Sequence, residues 1–292
     1  MTSYRLKNEY ITVAVNRFGA ELKSLVSNET GREYLWQADP AYWRRTSPVL
    51  FPVVGRLKQN SYQYRGKTYP MMQHGFARDK EFTLLEQTDK TLHFMLENDA
   101  ATMTIYPFDF RLIIGYEIVG KKVVVSWRVV NTGDKTMYFS VGSHPAFICP
   151  FDKNERQSDC FLAFDTSGPL VYHHIGKEYL YQNQEYPITL KEGALSLEEH
   201  LFDLDALLFE NYQFRQVSLL NSDKKPYLSV KFHAPVVGIW SPPKKKAPFV
   251  CIEPWFGRCD AENFEGTLAE RAYGNMLAGG AEFGAEYTIE IM

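Results

Sequence analysis

Short apolar runs with a two-residue alternation recur along almost the whole chain, and they constrain the fold more than any other feature. Residues 10–15 (YITVAV), 91–96 (TLHFML), 216–221 (QVSLLN), 227–232 (YLSVKF), 236–240 (VVGIW), 248–253 (PFVCIE) and 286–291 (EYTIEI) are short and rich in β-branched or aromatic side chains. The run 111–131 (RLIIGYEIVGKKVVVSWRVVN) reads as two strands joined by a hairpin turn at Gly120 and Lys121. Repeated short strands separated by turn residues favour an all-β sandwich over alternating βαβ units. Helical signals are sparse: one or two turns at 40–45 (PAYWRR), a short helix within 196–209 (SLEEHLFDLDALLF) and an ambiguous stretch at 260–272. With no internal repeat and no shift of composition, residues 1–292 read as a single domain.

Composition removes several function classes. At 45% hydrophobic and 23% charged, the 292 residues describe a globular chain, and a formal net charge of −3 gives no general attraction to nucleic acid. No run reaches the roughly 18 apolar residues of a membrane span, and the N-terminus lacks a secretory signature. Cysteines 149, 160, 251 and 259 show no Cys-x-x-Cys spacing, which fits reduced thiols and a cytoplasmic location. A monomer and a homodimer both remain open.

Three fragments carry the chemistry. In 73–78 (QHGFAR), His74 follows a hairpin whose turn is Arg65–Gly66–Lys67, and the next glycine lets the backbone pass close to another element; a core histidine fits as well. In 142–147 (GSHPAF), His144 stands between the end of a strand and Pro145, a placement that suits a site residue. In 251–257 (CIEPWFG), Glu253 ends a buried run, and Pro254 and Trp255 are expected to stop the strand. A carboxylate there needs a partner or a task. His93, His173, His174, His200 and His233 read as structural or exposed. Two histidines and a glutamate could also hold iron, but the absence of His-x-His, His-x-Asp or His-x-Glu disfavours a metal. A Gly-x-Ser-x-Gly elbow, a P-loop and a dinucleotide fingerprint are missing.

Taken together, 16–57 (NRFGAELKSLVSNETGREYLWQADPAYWRRTSPVLFPVVGRL), QHGFAR, GSHPAF and CIEPWFG resemble the aldose 1-epimerase (galactose mutarotase-like) family, in its LacX-like branch. The resemblance spans nearly the whole chain, with the motifs in order. It implies a large twisted β-sandwich with a sugar cleft, no cofactor, and interconversion of the α and β anomers of an aldose. By motif, Glu253 is similar to the general base, His144 to the general acid and His74 to the histidine that holds sugar hydroxyls. Arg56 of VVGRL is similar to the sugar-binding arginine, and Asp205 is placed as the sugar-binding aspartate, with Asp203 its alternative on an extended strand. Arg78 and Trp255 are further candidates for the sugar. Glutamate is ordinarily ionised at neutral pH, and a nearby carboxylate is expected to keep His144 protonated. A non-catalytic sugar-binding protein is the alternative. So is a hexose 6-phosphate mutarotase, suggested by Arg56, Arg78 and the lysines of 242–248 (PPKKKAP).

Overall fold

The alternating runs all become strands. A computed structural model describes residues 2–152 and 154–292, and in it the expected hairpin joins Phe110–Val119 to Lys122–Asn131 through Gly120 and Lys121. A nine-stranded antiparallel sheet runs Ala194–Ser196, Phe161–Phe164, Gln216–Leu220, Pro226–Phe232, Glu282–Ile291, Lys122–Asn131, Phe110–Val119, Thr91–Glu97, Thr83–Gln87. An eight-stranded sheet runs Tyr186–Ile188, Leu170–His174, Leu207–Glu210, Val236–Trp240, Phe249–Phe256, Val141–Ser143, Val49–Leu50, with Ala146–Ile148 also paired to Phe249–Phe256. A three-stranded sheet of Ser3–Lys7, Ile11–Asn16 and Glu21–Ser27 and two two-stranded ribbons complete it.

The two large sheets face each other. Alternate residues of Lys122–Asn131 (Val123, Val125, Trp127, Val129) point into one core cluster, and Val237, Ile239, Val250 and Ile252 of the second sheet enter it from the other side. This is the β-sandwich that the alternation predicts.

The second sheet differs in being buried on both faces. Along Phe249–Phe256 the inward row is Val250 and Ile252, while Phe249 and Cys251 join one satellite cluster and Trp255 another. Loops cover that outer face, and Glu253 lies on it between the two clusters.

Several local expectations give way. Residues 196–209 form turns and then the strand Leu207–Glu210, not a helix; Asp205 sits at φ +74°, which a helix cannot absorb. Residues 40–45 form a turn in which the amides of Tyr42 and Trp43 both donate to the Asp39 carbonyl. The α-helix is instead Ala100–Ile105, closed by Asp99 and Thr102: the Thr102 amide donates to Asp99 Oδ1 at 2.6 Å, and the Asp99 amide to Thr102 Oγ1 at 2.8 Å. His173 and His174 are buried strand residues rather than a loop pair. Pro254 does not stop its strand, which continues to Phe256. Its neighbour on one edge is interrupted between Ser143 and Ala146, so a missing N–H is tolerated there. The four cysteines are free and buried, and among the described residues no helix is long and apolar enough to cross a membrane.

The His74 region depends on one close approach. His74 and Gly75 both take left-handed φ values, +65° and +68°. A Cβ on Gly75 would lie 2.2 Å from the Phe51 carbonyl oxygen, with which this segment pairs. Gly75→Ala therefore combines backbone strain with a backbone clash. We expect it to destabilise the fold by roughly 3 kcal/mol, a fall in Tm of roughly 6–12 °C. A thermal melt superimposable on that of the parent would show that the contact is not needed.

Candidate active site

Glu253 arises from strand periodicity. It is two residues from Cys251 and two from Trp255 on the outward row of Phe249–Phe256, with 1% of its surface exposed. The residue opposite on Val236–Trp240 is Gly238, whose missing side chain leaves room for the Trp255 ring: a Cβ there would lie 3.2 Å from that ring and 3.5 Å from Glu253 Cβ. On the other edge the sheet is broken at residues 143–145, and His144 occupies the break, its amide donating to the Pro48 carbonyl. The sequence thus folds His144 beside Glu253. Its Nε2 lies 3.2 Å from Glu253 Oε2, yet the two are not aligned as a hydrogen bond, and Oε2 has no donor.

His74 reaches the same place from the turn after the Lys67–Pro70 strand. Its amide donates to the Gly55 carbonyl, and the Gly55 amide donates back to His74 Nδ1 at 3.1 Å. An Nδ1 that accepts cannot carry the proton, so the neutral ring bears it on Nε2. The rings of His74 and His144 are 5.6 Å apart and nearly perpendicular.

These groups line a cavity of about 210 Å³ together with Trp43, Gly55, Gln73, Arg78, Ile175, Tyr179, Asp205, Ala206, Trp240 and Trp255. Of the residues singled out in the sequence, Glu253, His144, His74, Asp205, Arg78 and Trp255 meet here. Arg56 does not: its Nε donates to Asn60 Oδ1 at 2.9 Å and its guanidinium lies 5.7 Å from the Tyr179 ring, behind the wall. Asp205 and Asp203 also part company, because the chain is a turn and not an extended strand at this point. Asp203 pairs with His200 at 2.9 Å, whereas Asp205 faces the cavity. Trp43, Trp240, Gln73 and Tyr179 were not foreseen; an aromatic in a turn carries no pattern that distinguishes wall from core.

Several polar atoms of the wall residues lack a partner. Among the described residues, the buried side-chain atoms without a hydrogen-bond partner include Arg78 Nε, His144 Nδ1 and Glu253 Oε2, and others lie in His173, His174, Glu210 and Arg258. Buried polar groups are normally satisfied, and an unpaired one is a cost that the fold carries.

Burial sets the charge state. Desolvation, then Asp205, pushes the Glu253 carboxyl well above the usual range, with Trp255 opposing. Asp205 is raised by burial too, against the Ala206 amide and Trp240. Burial, then Arg78, pulls His144 down to about 3, and burial, then Arg78, lowers His74. Both directions run against an ionised Glu253 and a protonated His144 in the free cavity, because burial penalises each charge. Arg78, pulled down to about 10 by burial, still carries its charge at neutral pH, and its Nη2 donates to the Gln73 carbonyl at 2.6 Å. The two-histidine, one-carboxylate metal set does not assemble either. Among the described residues, the grouping whose donor atoms lie within 4.8 Å of one another is His144, Cys251 and Glu253, without His74.

A wall with two carboxyls, two imidazoles and a guanidinium can bind hydroxyls and move protons between oxygens. The comparisons with known proteins place the chain in a family. The family model described as aldose 1-epimerase matches residues 2–265. Protein LacX, chromosomal, of Lactococcus lactis subsp. lactis is 34% identical over 263 residues, covering 86% of this chain and 87% of LacX. A crystal structure of a galactose mutarotase related enzyme from Lactobacillus acidophilus is 36% identical with a TM-score of 0.94, covering 100% of this chain and 97% of that one. A galactose mutarotase-like protein from Lactobacillus casei superimposes with a TM-score of 0.93 at 28% identity, each chain covered fully.

In the sugar-free protein, His74 and His144 should keep neutral-imidazole ¹⁵N shifts from pH 8 down to about pH 5, where an ordinary histidine with a pKa of about 6.5 has titrated. Midpoints near 6.5 for either ring would refute the desolvation argument.

Proposed function

The chain belongs to the aldose 1-epimerase family, and from that premise and the cavity we propose that it is a mutarotase, interconverting the α and β anomers of a free aldohexose. The observation that carries this reading is the Glu253–His144 pair, 3.2 Å apart on one wall of a cavity the size of a single sugar ring. At about 30 Å³ per water the cavity has room for about seven waters, which suits one sugar ring.

Opening a hemiacetal requires that a proton leave the C1 hydroxyl while another arrives at the ring oxygen. Glu253 takes the first and His144 gives the second; C1=O forms as the C1–O5 bond breaks. The aldehyde rotates about C1–C2, and the two transfers reverse on its other face. The number of protons on the pair is the same before and after.

The free cavity favours a neutral carboxylic acid and a neutral imidazole, which also hold one proton between them. Sugar hydroxyls that donate to the carboxylate and a ring oxygen that accepts from the imidazolium favour the ionised pair instead. Binding thus prepares the acid and base together. His74, with its Nε2–H, and Arg78 hold hydroxyls away from C1, and Asp205 accepts from others. Trp255 offers an indole face.

Electrostatics favours an unphosphorylated substrate. Arg78 is the cation on the wall; Arg56 turns to Asn60, Lys245 donates to the carbonyls of Ala41 and Tyr42, and Lys246 pairs with Glu199.

Glu253→Gln keeps the shape of the side chain and removes its ability to accept a proton. Polarimetry on freshly dissolved α-glucose and α-galactose should show the catalysed rate falling by roughly 10²–10⁴-fold, with sugar affinity changed little. Near-normal turnover in this variant would remove Glu253 as the base. A wild-type protein that binds hexoses without accelerating their equilibration would leave a sugar-binding protein.

A further inference from the structure

We propose that Trp43 is a positioning residue for His144: its indole face fixes the imidazole plane and stabilises the imidazolium as it forms. The inference rests on the mutarotase reading and extends it to a residue to which the sequence resemblance assigns no role.

A histidine that transfers protons is usually oriented by a hydrogen bond to its second ring nitrogen. His144 lacks one, since its Nδ1 is buried and without a partner. Its orientation must come from packing. The Trp43 ring lies on it at 4.7 Å between centroids and 29° between planes, while Trp240 and His74 meet it edge-on at 86° and 80°. Behind Trp43 the stack continues through Phe249, 5.9 Å away and inclined by 27°, to Trp36, a further 4.7 Å away at 27°. Phe249 belongs to the strand that carries Glu253. The column therefore ties the orientation of the acid to the strand bearing the base.

Two of the four rings come from residues 36–43, and that segment is held down. Trp36 Nε1 donates to the Trp43 carbonyl at 2.9 Å, and Lys245 Nζ donates to the carbonyls of Ala41 and Tyr42 at 3.3 and 3.0 Å. Lys245 thus has a task in keeping Trp43 seated.

The stack is also an electrostatic device. An indole face is electron-rich and attracts a cation. The neutral ring gains little from it, but the imidazolium needed at the ring oxygen gains more. In the sugar complex it raises the share of the pair that is ionised, so its loss lowers kcat by leaving fewer complexes with the acid and base forms.

Trp43→Leu should lower kcat by roughly 10–100-fold with sugar affinity within roughly threefold of the parent. Trp43→Phe, which restores an aromatic face, should recover most of that loss. Lys245→Met leaves every ring in place and should give a partial loss in the same direction. Independently of activity, the His144 ring protons should lose an upfield ring-current shift in Trp43→Leu and retain it in Trp43→Phe. Equal losses in the leucine and phenylalanine variants, or an unchanged His144 spectrum in Trp43→Leu, would overturn the proposal. If Trp43→Leu does not fold, a parental rate together with a parental His144 spectrum in both Trp43→Phe and Lys245→Met would overturn it. A wild-type protein with no mutarotation would sink the enzymatic reading, while the spectra would still decide whether Trp43 orients His144.

Discussion

A carboxyl group enclosed within a sheet is the constraint around which this molecule is arranged. Leaving such a group charged and unpartnered in a dry interior is costly, and a strand of this length could have carried an apolar residue at position 253. The fold gives up regular pairing to accommodate it. Gly238 opposes it with no side chain, and the neighbouring strand on the other edge is interrupted where His144 sits. The first leaves room for the Trp255 ring next to Glu253, and the second brings the His144 ring against its carboxyl. The core between the sheets is left intact, because Val250 and Ile252 on the same strand point the other way.

The site is therefore built on the outer face of one sheet, with loops supplying what the strands cannot. Strands fix Glu253 and Trp255 to within the precision of the ladder. His74 is fixed by a different means: it and Gly75 are left-handed, its amide donates to the Gly55 carbonyl, and its Nδ1 accepts from the Gly55 amide. Arg78 is anchored to the Gln73 carbonyl five residues earlier in its own turn. A wall assembled from rigid strand positions on one side and cross-braced turns on the other is suited to holding most of a sugar firmly.

The sandwich was legible in the sequence because a two-residue period is a local property and survives burial of either face. The turns at Gly120 and Gly66 were legible for the same reason. The failures occurred where local pattern and tertiary context disagree. Residues 196–209 carry helix-forming side chains, but the chain must turn at Asp205 to present its carboxylate, and Pro254 remains in a strand because its neighbour has already been broken. Glu253, His144 and His74 could be found from their flanking residues, since an ionisable group between apolar neighbours is informative. Arg56 looked equivalent to Arg78 because sequence says nothing about which way a side chain leaves the backbone. Trp43 and Trp240 gave no signal, as an aromatic residue in a β protein is more often core than wall.

The charge state was the other thing that sequence could not supply. A free glutamate and a free histidine would ionise in opposite senses near neutral pH, and their proximity alone suggests a salt bridge. Enclosure reverses that balance for both: each charge is penalised by lost solvation, Arg78 adds to the penalty on the imidazolium, and Asp205 adds to that on the carboxylate. The pair nevertheless keeps one proton whichever partner holds it, and a reaction that removes one proton and returns another needs no more than that. On the mutarotase reading proposed above, a cavity that disfavours the ionised pair until hydroxyl groups fill it would confine the acid and base forms to the moment a substrate is present. The same desolvation that makes Glu253 expensive to bury would then tie its basicity to the arrival of a sugar.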